Sequence, residues 1–185
     1  MAESEQLQTG NGAGFDLPAS LPPSLARLYA CWRALPRQFG KIPCKSSFDP
    51  AALPRLWPCM LMMRARPDAD RRTRYEIRYA GERHETRLRR ALTGRFLDDV
   101  VEETEYRRIS PALERIRRTG VPHHRTGQHL DDRNCLVGFE RLMVPLCDDQ
   151  GRPDFLLGVW HWPAAHTDHV VRLPNGAHMI SSRHI

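Results

Sequence analysis

The sequence has almost no lysine and no long apolar segment. Lys41 and Lys45 are the only lysines among 28 basic residues in a chain of 185, so the other 26 are arginines. No apolar run approaches the roughly 18–20 residues that cross a bilayer, and residues 1–20 lack the basic and apolar regions of a secretory signal. The preference for arginine is typical of a GC-rich bacterial genome. We therefore expect a cytoplasmic bacterial protein.

The cysteines and histidines form no recognisable metal or disulfide pattern. No C-x-x-C pair is present, and the five cysteines are widely spaced: Cys31, Cys44, Cys59, Cys135 and Cys147. An odd count with mostly apolar neighbours is typical of buried free thiols in a reducing compartment. His166 and His169 supply two ligands at most, and no Cys/His group has the spacing of a structural zinc site. We expect free thiols and no metal site.

Motifs of catalysis are also missing. The sequence contains no G-x-S-x-G nucleophile turn, no glycine-rich phosphate loop and no carboxylate pair in a catalytic context. With five cysteines and nine histidines, some trio with an acid would meet in any fold, and such a meeting is no signature. We therefore expect a protein that is not an enzyme.

The net charge of +6 belongs to one segment of the chain. Residues 64–95 contain 11 arginines and five acids, and the remainder is neutral, which argues against a histone-like protein. Arg83, Arg87 and Arg90 fall at i, i+4 and i+7 of a possible helix. They form either a basic face for phosphates or an acidic partner, or a solvated face that neighbouring glutamates partly neutralise. Without interleaved aromatics or a duplex-binding motif, nucleic acid is a disfavoured partner.

Hydrophobic periodicity divides the rest of the chain into helices and strands. Residues 1–22 have little pattern and predict a disordered arm. Leu25, Leu28, Cys31, Trp32 and Leu35 then recur at three- and four-residue spacing, which predicts a leading helix. A short apolar run at 59–63 and the alternation from Tyr75 to Tyr79 predict two strands. Three more strands, joined by short turn-rich links, are predicted at 122–130, 136–146 and 154–162.

The clearest helix lies between the two groups of strands. Residues 103–118 carry an apolar stripe with charged residues opposite it. Ser110-Pro111 predicts a kink or a restart within this helix. Gly120 predicts its C-terminal stop.

A series of short motifs follows this order of elements. They are Phe48-Asp49-Pro50, Leu56-Trp57-Pro58, Tyr79-Ala80-Gly81, Leu92-Thr93-Gly94-Arg95, Gly120-Val121-Pro122, Phe139-Glu140-Arg141-Leu142 and Leu156-Leu157-Gly158. In this order and spacing, residues 25–163 resemble the PAS domain. More narrowly, they resemble the fifth curated PAS family, a set of short stand-alone bacterial proteins.

The resemblance implies an α+β fold. A five-stranded antiparallel sheet would carry helices on one face, with an N-terminal flanking helix and a pocket between sheet and helices. Residues 23–163 would form the domain and 164–185 a C-terminal extension. The side chains expected to line the pocket are Tyr79, His84, Leu88, Phe96, Ile109, Leu113, Phe139 and Arg141.

The resemblance also sets the functional expectations, because PAS domains generally sense small molecules, redox state or light, or simply dimerise. We expect a stand-alone sensory or regulatory module that acts by contact with an unidentified signalling protein. An apolar stripe on a helix outside the strands predicts a homodimer through Leu25, Leu28, Cys31, Trp32 and Leu35. The alternative is a receptor with a polar or anionic small molecule in its pocket, and a third candidate is a nucleic-acid-binding regulator.

Known PAS cofactors find no support in this sequence. Haem is normally held by a histidine on the long helix, and residues 103–118 contain none. A light-sensing flavin site needs a reactive cysteine on a helix, whereas Asn134-Cys135 lies at a predicted hairpin turn. We expect neither haem nor flavin nor metal, and the cofactor is left unassigned.

Two places depart from the family pattern or leave alternatives open. The charged segment 83–90 stands where relatives carry apolar residues, so it is either peripheral or lines the pocket and selects a polar or anionic ligand. Arg141 either anchors a ligand carboxylate, forms a structural ion pair, or reaches along the strand to the sheet edge. Trp160 and Trp162 share one face of the last strand as core or interface residues.

Overall fold

Five long antiparallel strands build the sheet on which the rest of the fold is placed. The computed structural model describes residues 13–14, 17–70, 72–130, 135–163, 168–172 and 178–181. The strands are β1 (Ala13–Gly14), β2 (Met60–Pro67), β3 (Thr73–Ala80), β4 (His123–Leu130), β5 (Cys135–Leu146), β6 (Phe155–His161), β7 (Asp168–Arg172) and β8 (His178–Ser181). The α-helices are α1 (Pro23–Ala34), α2 (Glu82–Leu88) and α3 (Glu103–Thr119). Short 3-10 turns cover Lys45–Ser47, Pro50–Ala52, Pro54–Cys59 and Leu97–Asp99.

The long strands follow the order β3-β2-β6-β5-β4, and every neighbouring pair is antiparallel. Hairpins join β2 to β3, β4 to β5 and β5 to β6. The two-residue β1 extends the sheet beyond β4, while β7 pairs with the start of β5 and with β8. The predicted α+β fold with its five-stranded antiparallel sheet is confirmed.

Alternate residues of β5 face different hydrophobic layers. Leu142, Val144 and Leu146 are fully buried in the cluster that packs under α1. Met143 is fully buried in the cluster that packs under α3. Because successive side chains point to opposite faces, this central strand is apolar almost throughout and holds two cores together.

The apolar stripe of α1 packs against the sheet of its own chain. Leu25 and Leu28 are fully buried, and Trp32 is 7% exposed. The indole Nε1 of Trp32 donates a hydrogen bond to the Pro145 carbonyl on β5 at 2.8 Å. Cys31 and Leu35 lie at the margin of the same cluster. For Leu25, Leu28 and Trp32 the assignment to a dimer interface is corrected, because the chain's own sheet covers them, whereas Cys31 and Leu35 are half-buried.

The long helix α3 continues through Pro111 without a break. The restart at Ser110 that the sequence predicted does not occur, because a proline removes only one helical hydrogen bond and Leu113 and Ile116 are fully buried beyond it. The helix ends at Gly120, whose φ of 71° lies in the left-handed region. Its amide donates to the Ile116 carbonyl at 3.0 Å, which confirms the predicted stop.

Gly81 allows α2 to begin directly against the turn that precedes β2. A Cβ at this position would lie 2.1 Å from the Trp57 carbonyl oxygen and 2.5 Å from that of Pro58. Only glycine fits at such an approach. The glycine therefore fixes where α2 starts relative to the turn Pro54–Cys59.

Both ends of the chain contribute described segments to this fold. Leu17 and Leu21 pack against the cluster under α1, and β7 and β8 follow the last long strand. Residues 1–12 and 15–16 of the predicted arm, and 164–167, 173–177 and 182–185 of the predicted extension, lie outside the described residues. Among the helices that the structure describes, none combines the length and apolar character of a membrane span.

Candidate ligand pocket

A cavity of about 310 Å³ lies between the sheet and the helices α2 and α3. Aliphatic and thioether side chains supply much of its lining: Leu61, Met63, Ile77, Leu92, Leu97, Val100, Ile109 and Leu113. Charged and aromatic side chains supply another part: His84, Glu105, Arg125, Arg141, Trp160 and Trp162. The cavity therefore combines an apolar surface with a cationic one.

Most of the residues predicted to line a pocket do line this cavity. They are His84, Leu88, Ile109, Leu113, Phe139 and Arg141. Leu88 is 44% exposed, so the lining at this position is open to solvent. Tyr79 and Phe96 are not part of the lining.

Tyr79 points away from the cavity because β3 contains an irregularity. Tyr75 and Ile77 are buried on the α3 side of the sheet. The register between β2 and β3 then shifts between Met62 and Met63, and such a bulge reverses the alternation of the following side chains. Ala80 consequently takes the buried position. Tyr79 lies outside, where its hydroxyl donates to the Trp57 carbonyl at 3.2 Å.

Phe96 is held at the edge of the sheet rather than in the cavity. Its backbone forms an antiparallel bridge with Glu76. The guanidinium of Arg74 covers the ring, 4.2 Å from its centroid, and donates to Asp98 and Asp99 at 2.7 Å each. Phe96 thus stabilises an exposed ion-pair cluster through a cation–π contact.

Two arginines stand directly opposite each other in the cavity wall. Arg125 on β4 and Arg141 on β5 are register partners, a relation that puts Cβ atoms about 5 Å apart. The two residues are only 7% and 6% exposed. Nε of Arg125 and both Nε and Nη2 of Arg141 are buried without a hydrogen-bond partner. Like charges so placed destabilise a sheet, and burial without a partner adds to that cost.

Arg141 is not neutralised by the neighbouring carboxylate. Oε2 of Glu140 lies 3.1 Å from Nε2 of His124, so this acid pairs with a histidine. The Arg141 guanidinium instead lies 5.5 Å from the ring centroid of Trp160, its register partner on β6. Glu105 interacts with Arg141 through its charge, but Nε and Nη2 of Arg141 have no hydrogen-bond partner.

The surrounding groups preserve the positive charge. Burial lowers the pKa of Arg141 to about 10, which leaves the guanidinium charged at neutral pH. Burial, followed by the charge of Arg141, lowers the pKa of His123 to about 4. Glu105 brings a carboxylate to the lining, but Nε of Arg108 donates to it at 2.8 Å. The cationic wall therefore has an incomplete counter-charge.

The His84 ring packs between the indole of Trp160 on β6 and that of Trp162, the residue that directly follows β6. Its ring centroid lies 4.8 Å from that of Trp160 and 5.2 Å from that of Trp162, in edge-to-face contacts. Its Nε2 donates to the Cys59 carbonyl at 3.1 Å. Burial, opposed by this hydrogen bond, lowers the pKa of His84 to about 4. His84 is thus a neutral, rigid part of the wall at physiological pH.

The arginines of α2 do not form one basic stripe. The guanidinium carbons of Arg83 and Arg87 lie 5.1 and 4.7 Å from the Trp162 ring centroid. The helix ends at Leu88, and Arg89 adopts a φ of 50°. Arg90 then turns back and donates to the Val100 carbonyl. Two of the three arginines therefore cover an indole at the cavity, and the third ties down the loop before α3.

Sequence reasoning missed Arg125, Glu105 and the two indoles as lining residues. The strand pattern placed Trp160 and Trp162 on one face but did not say which layer that face meets. For Arg125 the missing quantity is the register of the β4–β5 hairpin. A slip of one residue would oppose Arg125 to Glu140 instead of Arg141, so the turn geometry decides the chemistry of the pair.

The described residues contain no group of three His, Cys, Asp or Glu side chains able to hold a metal ion. Of the two histidines considered as possible ligands, His166 and His169, His166 lies outside the described residues. In the cavity itself, two guanidinium groups form a donor set for carboxylates and other oxyanions.

Comparison with known proteins matches the chain to a family. The model described as the PAS domain matches residues 21–161, which is most of the chain. The chain belongs to the PAS domain family. Its membership and its sheet support the expectation of a sensory module, and the cavity occupies the place where the PAS resemblance predicted a pocket.

One solved structure similar to this PAS chain is a light-oxygen-voltage domain from work on a flavin analogue. It has 14% sequence identity and a TM-score of 0.42, and the match covers 62% of this chain and 83% of that chain. At this similarity the match carries no argument about a ligand. A search of curated proteins found no match.

The buried His84 predicts a loss of stability in mild acid. Its folded pKa of about 4 lies below the ordinary 6.5, so the unfolded chain binds more protons between these values. Stability is therefore full above pH 6.5 and falls as the pH is lowered toward 4. By pH 5 the loss from His84 is about 2 kcal/mol. Urea unfolding at pH 7 and pH 5 should show a smaller loss for His84→Gln than for wild type. His161→Gln on β6 is the control, and equal losses in wild type and His84→Gln would contradict the assignment.

Proposed function

We propose that this PAS domain is a sensor of a small organic anion, which it binds in the cavity between the sheet and α2 and α3. The carboxylate of the ligand binds the guanidinium groups of Arg125 and Arg141. The observation that carries the proposal is the opposition of these two buried arginines, with N–H groups that have no partner. The function assigned is binding, not catalysis.

The energetics of the arginine pair support an anion. A buried charge is costly unless it is paired and hydrogen-bonded. One carboxylate between the two guanidinium groups would contact both cations, offset one of the two positive charges and accept from donors that are otherwise unsatisfied. A planar guanidinium suits this role because it matches carboxylate oxygens two at a time.

The rest of the lining restricts the ligand's other end. Leu61, Met63, Ile77, Ile109 and Leu113 offer hydrocarbon surface, which rewards an apolar group and penalises a second charge. A cavity of about 310 Å³ is at the small end of ligand pockets. Monocarboxylates with a short aliphatic chain or a single aromatic ring fit this description.

Binding of matched probes tests the proposal. Octanoate and phenylacetate should bind the purified full chain by titration calorimetry, and their neutral amides should not. Arg125→Gln and Arg141→Gln should each weaken carboxylate binding by about tenfold to hundredfold. Arg78→Gln is the matched control, because Arg78 lies on β3 outside the cavity and pairs with Glu76. Equal affinity for acid and amide, or no effect of Arg141→Gln, would contradict the proposal, and native mass spectrometry checks for a retained anion.

The free energy of unfolding of the ligand-free protein provides a second test, in which loss of an arginine is expected to be neutral or stabilising. Arg141→Met removes a buried cation whose Nε and Nη2 have no hydrogen-bond partner and keeps much of its apolar stem, so the free energy of unfolding should stay level or rise by about 1–4 kcal/mol. Arg78→Met, an exposed change, should stay within about 0.5 kcal/mol. Urea unfolding of carboxylate-free protein measures both. A clear destabilisation by Arg141→Met would mean that the arginine serves the fold rather than a ligand.

We further propose that the sensor acts in the cytoplasm by contact with protein, as a homodimer. Since the inward stripe of α1 is covered, the contact would use the outward face, where Ala26, Tyr29, Ala30 and Ala34 border a shallow groove with Leu17. Small exposed side chains there permit close approach of a second helix. In sedimentation equilibrium, Ala30→Glu should lower the dimer fraction while Thr104→Glu on α3 leaves it unchanged. A wild-type monomer at all concentrations would refute the dimer.

A further inference from the structure

Two buried thiols lie side by side at the end of β5. Sγ of Cys44 and Sγ of Cys147 are 2.9 Å apart, and the residues are 0% and 1% exposed. Cys44 precedes the 3-10 turn Lys45–Ser47, and Cys147 directly follows β5. Among the described cysteines, no other two are in hydrogen-bond contact.

The backbone holds these two cysteines in register. They form a parallel bridge, in which the Lys45 amide donates to the Cys147 carbonyl at 2.7 Å and the Cys147 amide donates to the Pro43 carbonyl at 2.9 Å. Bridged backbones are about 4.8 Å apart, within the Cα separation that a disulfide requires. The two sulfurs can therefore bond without moving the strands.

We propose that Cys44 and Cys147 are a redox modification site, at which a small hydroperoxide converts the two thiols into an intramolecular disulfide. One thiol loses its proton, its thiolate attacks a peroxide oxygen, and the O–O bond breaks to give a sulfenic acid and hydroxide, which takes up that proton to become water. The second thiolate attacks the sulfenic sulfur, the S–S bond forms, and hydroxide leaves and takes a proton to become water. Two thiols are oxidised by two electrons, and one hydrogen peroxide is reduced to two waters.

The surroundings of the two thiols slow their oxidation. Burial, followed by the hydrogen bond with Cys44, raises the pKa of Cys147 to about 12, so the thiolate is scarce at neutral pH. The residue that follows Cys44, Lys45, is exposed, so the pair lies one residue along the chain from the protein surface. A small uncharged peroxide suits this depth better than a bulky disulfide reagent.

The bond would connect distant parts of the chain. The two cysteines are 103 positions apart, and a cross-link over such a loop strongly restricts the unfolded chain. Oxidation should therefore raise the thermal midpoint on the order of 10 °C. It would also tie the segment before β2 to the end of β5, the strand that carries Arg141.

Peptide mapping of the full chain tests the proposal. Purified protein is treated with hydrogen peroxide, denatured with an alkylating agent and digested without reductant. The expected result is a linked peptide pair that contains Cys44 and Cys147 and that a thiol reductant separates. Cys44→Ser and Cys147→Ser should each abolish the pair and the rise in thermal midpoint, whereas Cys31→Ser should keep both.

Other outcomes overturn the proposal. If Cys44 and Cys147 are both alkylated after peroxide treatment, while the half-buried Cys31 and Cys59 show oxidation under the same conditions, the pair is not a modification site. A link from either cysteine to a different thiol has the same meaning. Since no carboxylate is present in this experiment, its failure leaves the ligand proposal untouched.

Discussion

The antiparallel register of β4, β5 and β6 puts Arg125, Arg141 and Trp160 in one row across the sheet. The row faces the layer under α3, where burial makes each charge expensive and the neighbouring indole can lie against a guanidinium. Cavity, charge and aromatic wall all depend on this one alignment. A slip of β5 by one residue would send Arg141 to the other face and oppose Arg125 to Glu140.

The same strands have to serve the second face as well. Leu142 and Val144, on either side of Met143, pack under α1 with Trp32, and the hydrogen bond from that indole to Pro145 fixes the helix on the sheet. This packing leaves β5 little freedom to slide. The structural layer under α1 thus preserves the register on which the cationic wall relies, while the wall itself contributes cost rather than stability.

Much of the fold follows from local pattern, and the failures have local physical causes. Some features depend only on residues close together in the sequence, and the sequence predicts them: the apolar stripe of α3, its end at Gly120 and the alternation of the strands. The prediction that Tyr79 lines the pocket was wrong because a bulge between β2 and β3 reverses the alternation of the side chains. Arg125 was missed because the register of the β4–β5 hairpin cannot be read from the residues alone. The stripe of α1 was recognised, but apolar spacing does not say whether its own sheet or a second chain covers it.

The opposition of Arg125 and Arg141 has a consequence for how this pocket can evolve. In the proposed complex one anion contacts both guanidinium groups, so loss of either arginine would weaken the reason to keep the other. We expect substitutions at these two positions to occur together across relatives, with apolar or neutral pairs in members that take uncharged ligands. The charge of the ligand that a family member binds could then be predicted from two positions, which lie sixteen residues apart in the chain and face each other in the sheet.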